Sequence, residues 1–166
     1  MNIYNLPNLI EKSDSGNISK LLSDAYFPMI YEISDCGLIT DGIFNVIKYI
    51  FSSKKCFECE ECSDYIGVIT SEPDTISTEH KNELFDILVE NYINYQTEVM
   101  RLMVGDYIAR YYSYDKVLDA LTKLCDQVDI NNRDGINIAL DIIIRNRNID
   151  SRIRDRAVSI ISRIYK

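Results

Sequence analysis

Two stretches of this chain, 42 residues apart, have nearly the same sequence. Residues 63–67 read Ser-Asp-Tyr-Ile-Gly, and residues 105–109 read Gly-Asp-Tyr-Ile-Ala. Upstream of them, Lys48-Tyr49-Ile50 is matched by Asn91-Tyr92-Ile93, at a spacing one residue longer. A period near 40 residues is the length of a two-helix unit. Such a unit cannot bury its apolar face alone, so the repeat predicts helical hairpins that stack on one another.

Apolar residues recur every three or four positions through most of the chain, which is the pattern of amphipathic helices. The predicted helices cover residues 17–33, 41–53, 55–69, 79–95, 97–112, 115–127 and 133–146, followed by a last helix after Asp150, with a short extra turn at 8–12. Thr40 or Asp41, Thr78 and Asp150 are the predicted helix N-caps. Pro28 lies inside the first helix, where it is expected to kink or divide it.

The helices after the first form three hairpins. These pair residues 41–53 with 55–69, 79–95 with 97–112, and 115–127 with 133–146. With the repeated Tyr-Ile segments, this arrangement resembles the HEAT and armadillo class of helical repeat proteins over residues 38–165. The resemblance implies an all-α, right-handed stack of antiparallel helix pairs, about seven or eight helices in a single domain over residues 1–166. A non-repeating helical bundle, with a chance five-residue match, is the alternative.

The chain is acidic, and its charge is unevenly distributed. The formal net charge is −8 and the sequence pI is about 4.7. From Arg145 onward seven basic residues face two acidic ones, so the preceding part is strongly negative. An acidic body repels phosphates, so we expect no nucleic-acid partner, and it attracts a basic protein. We interpret the C-terminal arginines as a solvated face that offsets the acidic body.

The densest acidic run consists of Glu58, Glu60, Glu61 and Asp64, which we call the acidic strip. It falls on the predicted helix 55–69, the second helix of a hairpin, and the resemblance places such helices on the concave side of the stack. The strip is either an ordinary solvated face or a surface that faces a partner.

Tyrosines cluster at the end of the predicted helix 97–112. Tyr111, Tyr112 and Tyr114 lie within four residues, and tyrosine favours interfaces because it combines contact area with a polar tip. Asp106 is one turn from Arg110 and is expected to pair with it. With the acidic strip, Asp106 and the three tyrosines are the candidate partner-binding residues.

Three cysteines, Cys56, Cys59 and Cys62, are the candidate metal ligands. Zinc needs four ligands, and a fourth would have to be Cys36, Cys125 or His80. On one helix these thiols would spread around the cylinder, which favours core or surface thiols, and we expect no metal site. We interpret His80, the only histidine, as a solvated surface residue.

No motif for catalysis stands out, because the chain lacks a glycine-rich phosphate loop and a calcium-loop series. We expect no enzymatic activity and no cofactor. No export signal or apolar membrane-spanning run is visible, so a cytoplasmic protein with free thiols is expected. Small size, acidity and the missing catalytic motifs resemble bacterial toxin-immunity proteins.

That resemblance implies a non-catalytic interaction module whose partner is a toxin domain with a basic surface. The alternatives are a metal-binding regulatory protein that uses the Cys56, Cys59 and Cys62 cluster, and an enzyme whose site assembles only in the fold.

Overall fold

Every regular element that the structure describes is helical. The structure is a computed structural model and describes residues 1–71 and 75–164. Its α-helices are α1 Leu6–Lys12, α2 Ser15–Cys36, α3 Asp41–Ser52, α4 Cys62–Ser71, α5 Thr78–Glu90, α6 Glu98–Tyr111, α7 Tyr114–Gln127, α8 Asp134–Arg145 and α9 Ser151–Ile164. The prediction of an all-α fold is confirmed, with nine α-helices within these ranges against the seven or eight expected.

The chain divides into two compact units, one of residues Met1–Thr97 and one that starts at Glu98. Within the first unit, α2 packs on α4 and α3 packs on α5, while α1 lies against α2 and α3. Within the second unit, α6 packs on α8 and α7 packs on α9. In both units a helix therefore contacts its next-but-one neighbour, an arrangement compatible with a helical repeat fold.

Helix starts follow the capping residues closely. Thr40 caps α3, since its hydroxyl oxygen accepts a hydrogen bond from the amide of Ile43 at 3.3 Å. Asp150 caps α9 by accepting from the amide of Arg152 at 2.7 Å. Ser77, and not the predicted Thr78, caps α5. Pro28 does not divide α2, which runs unbroken from Ser15 to Cys36.

The predicted helix over residues 55–69 is wrong in its first half. Residues 54–61 form successive turns, and α4 begins only at Cys62. The amide of Cys59 bonds back to the carbonyl of Cys56, and the amide of Cys62 bonds back to that of Cys59, each three residues away. We call residues 54–61 the turn segment.

Contacts with distant parts of the first unit explain the turn segment. The ammonium of Lys55 donates to the carbonyl oxygens of Ile10 and Ser13 at the end of α1, at 3.2 and 3.3 Å. The carbonyl of Phe57 accepts a hydrogen bond from the amide of Gln96 at 2.9 Å. These tertiary bonds override the local preference for a helix, because intrinsic propensity is a weak force beside packing.

Both copies of the repeated segment contribute buried residues. Tyr65 and Ile66 of α4 are buried, as are Tyr107 and Ile108 of α6. The hydroxyl of buried Tyr65 donates to the carbonyl of Leu22 at 2.6 Å, which satisfies its polar group. The Tyr-Ile pairs that drew attention in the sequence are therefore packing residues.

Helices α6 and α8 meet through two glycines. A Cβ atom placed on Gly105 would lie 1.9 Å from the carbonyl oxygen of Gly135, so the two backbones touch. One turn before Gly105, Arg101 is only 6% exposed. Its Nη2 and Nε atoms lie 2.9 and 3.0 Å from Oδ2 of Asp134. A close backbone contact and a buried ion pair thus hold α6 against α8.

Candidate protein-interaction site

The acidic strip lies mostly on the turn segment and not on a helix. Glu58 and Glu60 are exposed and Glu61 is half-buried, all three before the start of α4. Asp64 is exposed in the first turn of α4. The expectation that one helix carries the whole strip is therefore corrected, although the four carboxylates stay within seven residues of one another.

None of the four carboxylates of the strip has a cationic partner within ion-pair distance among the residues that the structure describes. Burial raises the pKa of Asp64 above its ordinary value, and the nearby charge of Glu61 raises it further. A raised carboxyl pKa means that the fold disfavours the ionised form. The strip is thus a local concentration of negative charge that the first unit does not compensate.

The turn segment presents this charge from a fixed base. Buried and exposed residues are interspersed along it: Cys56 and Phe57 are buried before Glu58, and buried Cys59 separates exposed Glu58 from exposed Glu60. The ring of Phe57 packs edge-on against that of Tyr95, with centroids 5.5 Å apart. The buried side chains, together with the bonds of Lys55, hold the backbone that carries Glu58 and Glu60.

The cysteines of the turn segment serve as core residues. Cys56, Cys59 and Cys62 are buried, and all five cysteines of the chain are free thiols. The Cys62 thiol donates to the carbonyl oxygen of Cys56 at 3.1 Å. Its hydrogen bond with Cys56 and its burial raise the pKa of Cys62 far above its usual range, which keeps it protonated. In the described part of the chain, no three His, Cys, Asp or Glu residues are grouped so as to hold a metal ion.

The tyrosines and Asp106 belong to the second unit. Asp106 pairs with Arg110 as predicted, with both carboxylate oxygens 2.8 Å from Nε. Tyr112 donates to the hydroxyl of Tyr107 at 3.3 Å. Tyr111 is exposed and lies beside the buried ring of Tyr107, at a centroid distance of 5.1 Å. Within this group Tyr111 offers the most surface to a partner.

Tyr114, the last residue of this group, is half-buried. Its hydroxyl accepts a hydrogen bond from the side-chain amide of Asn146 at 2.6 Å. The bond ties the start of α7 to the end of α8, so Tyr114 has a structural task within the second unit.

His80 is not a solvated surface residue, so that expectation is wrong. Its side chain is 14% exposed and stacks on the ring of Phe44, with centroids 4.0 Å apart. Its Nε2 lies 3.3 Å from Oδ1 of Asp41, and its buried Nδ1 has no hydrogen-bond partner among the described residues. His80 therefore packs the start of α5 against α3.

The C-terminal arginines offset the acidic charge by pairing with one particular helix. Arg156 of α9 bonds to Asp115 and Asp119 of α7, at 2.5 and 2.6 Å. Arg163 bonds to Asp126 at 2.6 Å. The sequence carried a signal for this pairing, because these aspartates and arginines recur at helical spacing on two facing helices. In the second unit, exposed aspartates of α7 are thus paired with arginines, whereas the carboxylates of the acidic strip have no such partners among the described residues.

Sequence reasoning missed two exposed aromatic residues on α2. Phe27 and Tyr31 are 63% and 66% exposed. They lie one turn apart and outside the apolar stripe of this helix, which includes Leu22, Ala25 and Met29. Aromatic residues spaced by four on the polar side of an amphipathic helix were the signal that could have identified them.

Comparisons of the chain with protein-family models, curated proteins and solved structures found no match. Within the described residues, no helix has both the length and the apolar character needed to cross a bilayer.

Replacing Asp64 by asparagine should stabilise the first unit at neutral pH, since the fold disfavours the Asp64 carboxylate. The folded-state pKa of Asp64 is raised, so the penalty is complete above that pKa and vanishes as the pH falls below the ordinary pKa of aspartate. Urea unfolding of both proteins across this pH range measures the effect. A gain that grows as the pH falls would contradict the assignment.

Proposed function

We propose that this chain is a non-catalytic protein-interaction module that binds a partner with a basic surface. The observation that carries the proposal is the acidic strip: four carboxylates without cationic partners in the described part of the chain, on a segment that buried residues hold in place. An all-helical fold that is compatible with a helical repeat fits such a role, because stacked helical hairpins present surfaces to other proteins.

The fold disfavours the ionised form of one carboxylate of the strip, Asp64, which supports a role in binding. Burial, and secondly the nearby charge of Glu61, raises the pKa of Asp64 and disfavours its ionised form, whereas the aspartates of α7 are compensated by α9. A partner that supplies lysines or arginines would relieve this repulsion and would be drawn in by the field of the strip. Asp106 and Tyr111, Tyr112 and Tyr114 form a second candidate contact group, in the other unit.

Within this class, the specific proposal is an immunity protein that binds and neutralises a toxin. Small size and acidity suit a protein that covers the basic working surface of another. Such inhibition needs shape and charge but no chemistry, in keeping with the missing catalytic motifs. The toxin would then be blocked by occlusion of its active site or functional surface.

Neutralising the strip should slow association with a basic partner by about tenfold at low salt, because the strip steers the encounter. The variant is Glu58→Gln, Glu60→Gln, Glu61→Gln and Asp64→Asn together. The control neutralises four exposed carboxylates elsewhere, namely Glu79, Glu90, Asp129 and Asp155. Stopped-flow mixing at several salt concentrations measures both, and equal association rates for the two variants would remove the strip from the interface.

The immunity role is tested with a partner identified by affinity capture from the native host and then produced alone. Expression of that partner in a sensitive bacterium should stop growth, and co-expression of this chain should restore it. The strip variant should protect less well than the control variant. A captured partner that is harmless when expressed would refute the immunity role and leave the interaction module standing.

A further inference from the structure

The N-terminal part of the first unit exposes an unusual concentration of apolar surface. Met1, Tyr4, Phe27 and Tyr31 are each between 46% and 66% exposed. Phe27 and Tyr31 lie one turn apart and form a ridge along α2, while Met1 and Tyr4 lie against Pro28 and Glu32 of the same helix. A contiguous apolar patch on a folded protein commonly marks a docking surface. We call these four residues the aromatic patch.

A groove runs beside the ridge. It has an open volume of about 350 Å³ and is lined by Met1, Asn2, Ile3, Tyr4, Pro28 and Glu32. The hydroxyl of Tyr4 donates to a carboxylate oxygen of Glu32 at 2.8 Å. A Cβ atom on Gly42 would lie 2.8 Å from the ring of Tyr4, so the ring rests on the start of α3. The groove therefore has a fixed aromatic wall with a carboxylate next to it.

Carboxylates outnumber cationic side chains on the helix beside the groove. Helix α2 carries three carboxylates, Asp24, Glu32 and Asp35, against one lysine, Lys20. Asp24 and Asp35 are exposed, and neither forms an ion pair within the described residues. An aromatic face beside a carboxylate is the arrangement that best receives a lysine or arginine side chain.

We propose that the aromatic patch and its groove form a second docking surface, which receives a protein segment that combines a lysine or arginine with apolar residues. The cationic group lies in the groove against Glu32 and the ring of Tyr4. The neighbouring apolar side chains cover Phe27 and Tyr31. This surface lies on α2, whereas the acidic strip lies on the turn segment and the start of α4, so the inference does not depend on the role of the strip.

Charge selects a basic protein segment over other occupants. A second copy of this chain would bring the same carboxylates of α2 against one another in a two-fold interface, which is unfavourable. An anionic bilayer is repelled by the same carboxylates and by the net charge of −8. A cationic segment with apolar side chains is favoured twice, because it neutralises the charge of Glu32 and removes the exposed rings from water.

The test uses a random peptide library displayed on phage and selected on the full chain. Enriched peptides should combine a basic residue with aromatic or aliphatic residues. The enriched peptides are then synthesised, and their affinity for the chain should fall at least about tenfold when the chain carries both Phe27→Ala and Tyr31→Ala, because exposed aromatic anchors dominate such contacts. Glu32→Gln in the chain should weaken the binding of each peptide in proportion to the number of its basic residues. Ile130→Ala with Val158→Ala, which truncates two exposed apolar residues of the second unit, is the control.

Several results would overturn the proposal. The selection could enrich no peptides, or peptides without basic residues. The enriched peptides could also bind the variant with Phe27→Ala and Tyr31→Ala as tightly as the parent chain. A dimer that this variant dissociates in sedimentation experiments would assign the patch to a second copy. Binding to phosphatidylcholine vesicles that the variant abolishes would assign it to lipid. Peptides that respond only to the strip variant would refute this surface while supporting the proposed function.

Discussion

Replacing Gly105 by alanine is expected to destabilise the second unit by more than about 3 kcal/mol, a large effect for one methyl group. The added Cβ would lie 1.9 Å from the carbonyl oxygen of Gly135, and no side-chain rotation can relieve a clash with backbone. Helices α6 and α8 would have to separate. Chemical denaturation followed by circular dichroism measures the change in the free energy of unfolding.

Gly67 supplies the matched control for this prediction. It lies inside α4 at the repeat position that is Ala109 in the second copy, and a Cβ there meets nothing within 4 Å. Gly67→Ala should therefore stabilise the chain by about 0.5 to 1 kcal/mol, the usual gain for this change in a helix. A Gly105→Ala variant as stable as the parent chain would disprove the close contact of α6 with α8.

Removing the carboxylate of Asp134 is expected to cost about 3 kcal/mol in the free energy of unfolding. Arg101 is only 6% exposed as a residue, and its guanidinium would then lose the ion pair with Asp134 inside the fold. Loss of one partner from a buried ion pair is strongly destabilising, because the remaining charge keeps its desolvation cost. Asp134→Ala tests this by urea unfolding.

Two further variants identify the cause of the stability loss expected for Asp134→Ala. Asp106→Ala removes a carboxylate from the exposed pair with Arg110 in the same unit and should cost less than about 0.5 kcal/mol. Arg101→Met combined with Asp134→Leu removes both buried charges, so it should be more stable than Asp134→Ala alone. A double variant at least as unstable as the single one would mean that packing, and not the uncompensated charge, explains the loss.

The sequence predicted most of the helical framework because its signals are local. Apolar spacing located the helices, and Thr40 and Asp150 marked two of their starts correctly. The helix predicted over residues 55–61 is absent because Lys55 and Phe57 bond to parts of the chain about 40 residues away, at Ile10 and Gln96. No local pattern contains such bonds.

The candidate site was predictable in composition but not in detail. The charges of Glu58, Glu60 and Glu61 are evident in the sequence, but their missing counter-ions emerge only from the fold. The same limit applies to His80, whose stacking on Phe44 brings together residues 36 positions apart. Phe27 and Tyr31 were overlooked because aromatic residues are ordinarily assigned to a core.

The mixture of buried and exposed residues along the turn segment separates two kinds of evolutionary constraint. Cys56, Phe57 and Cys59 fill the interior, whereas Glu58 and Glu60 contribute nothing to it. Under the proposed function, substitutions at the glutamates would change recognition and leave the buried residues in place. Related chains would then share one framework and differ in the partner that each binds.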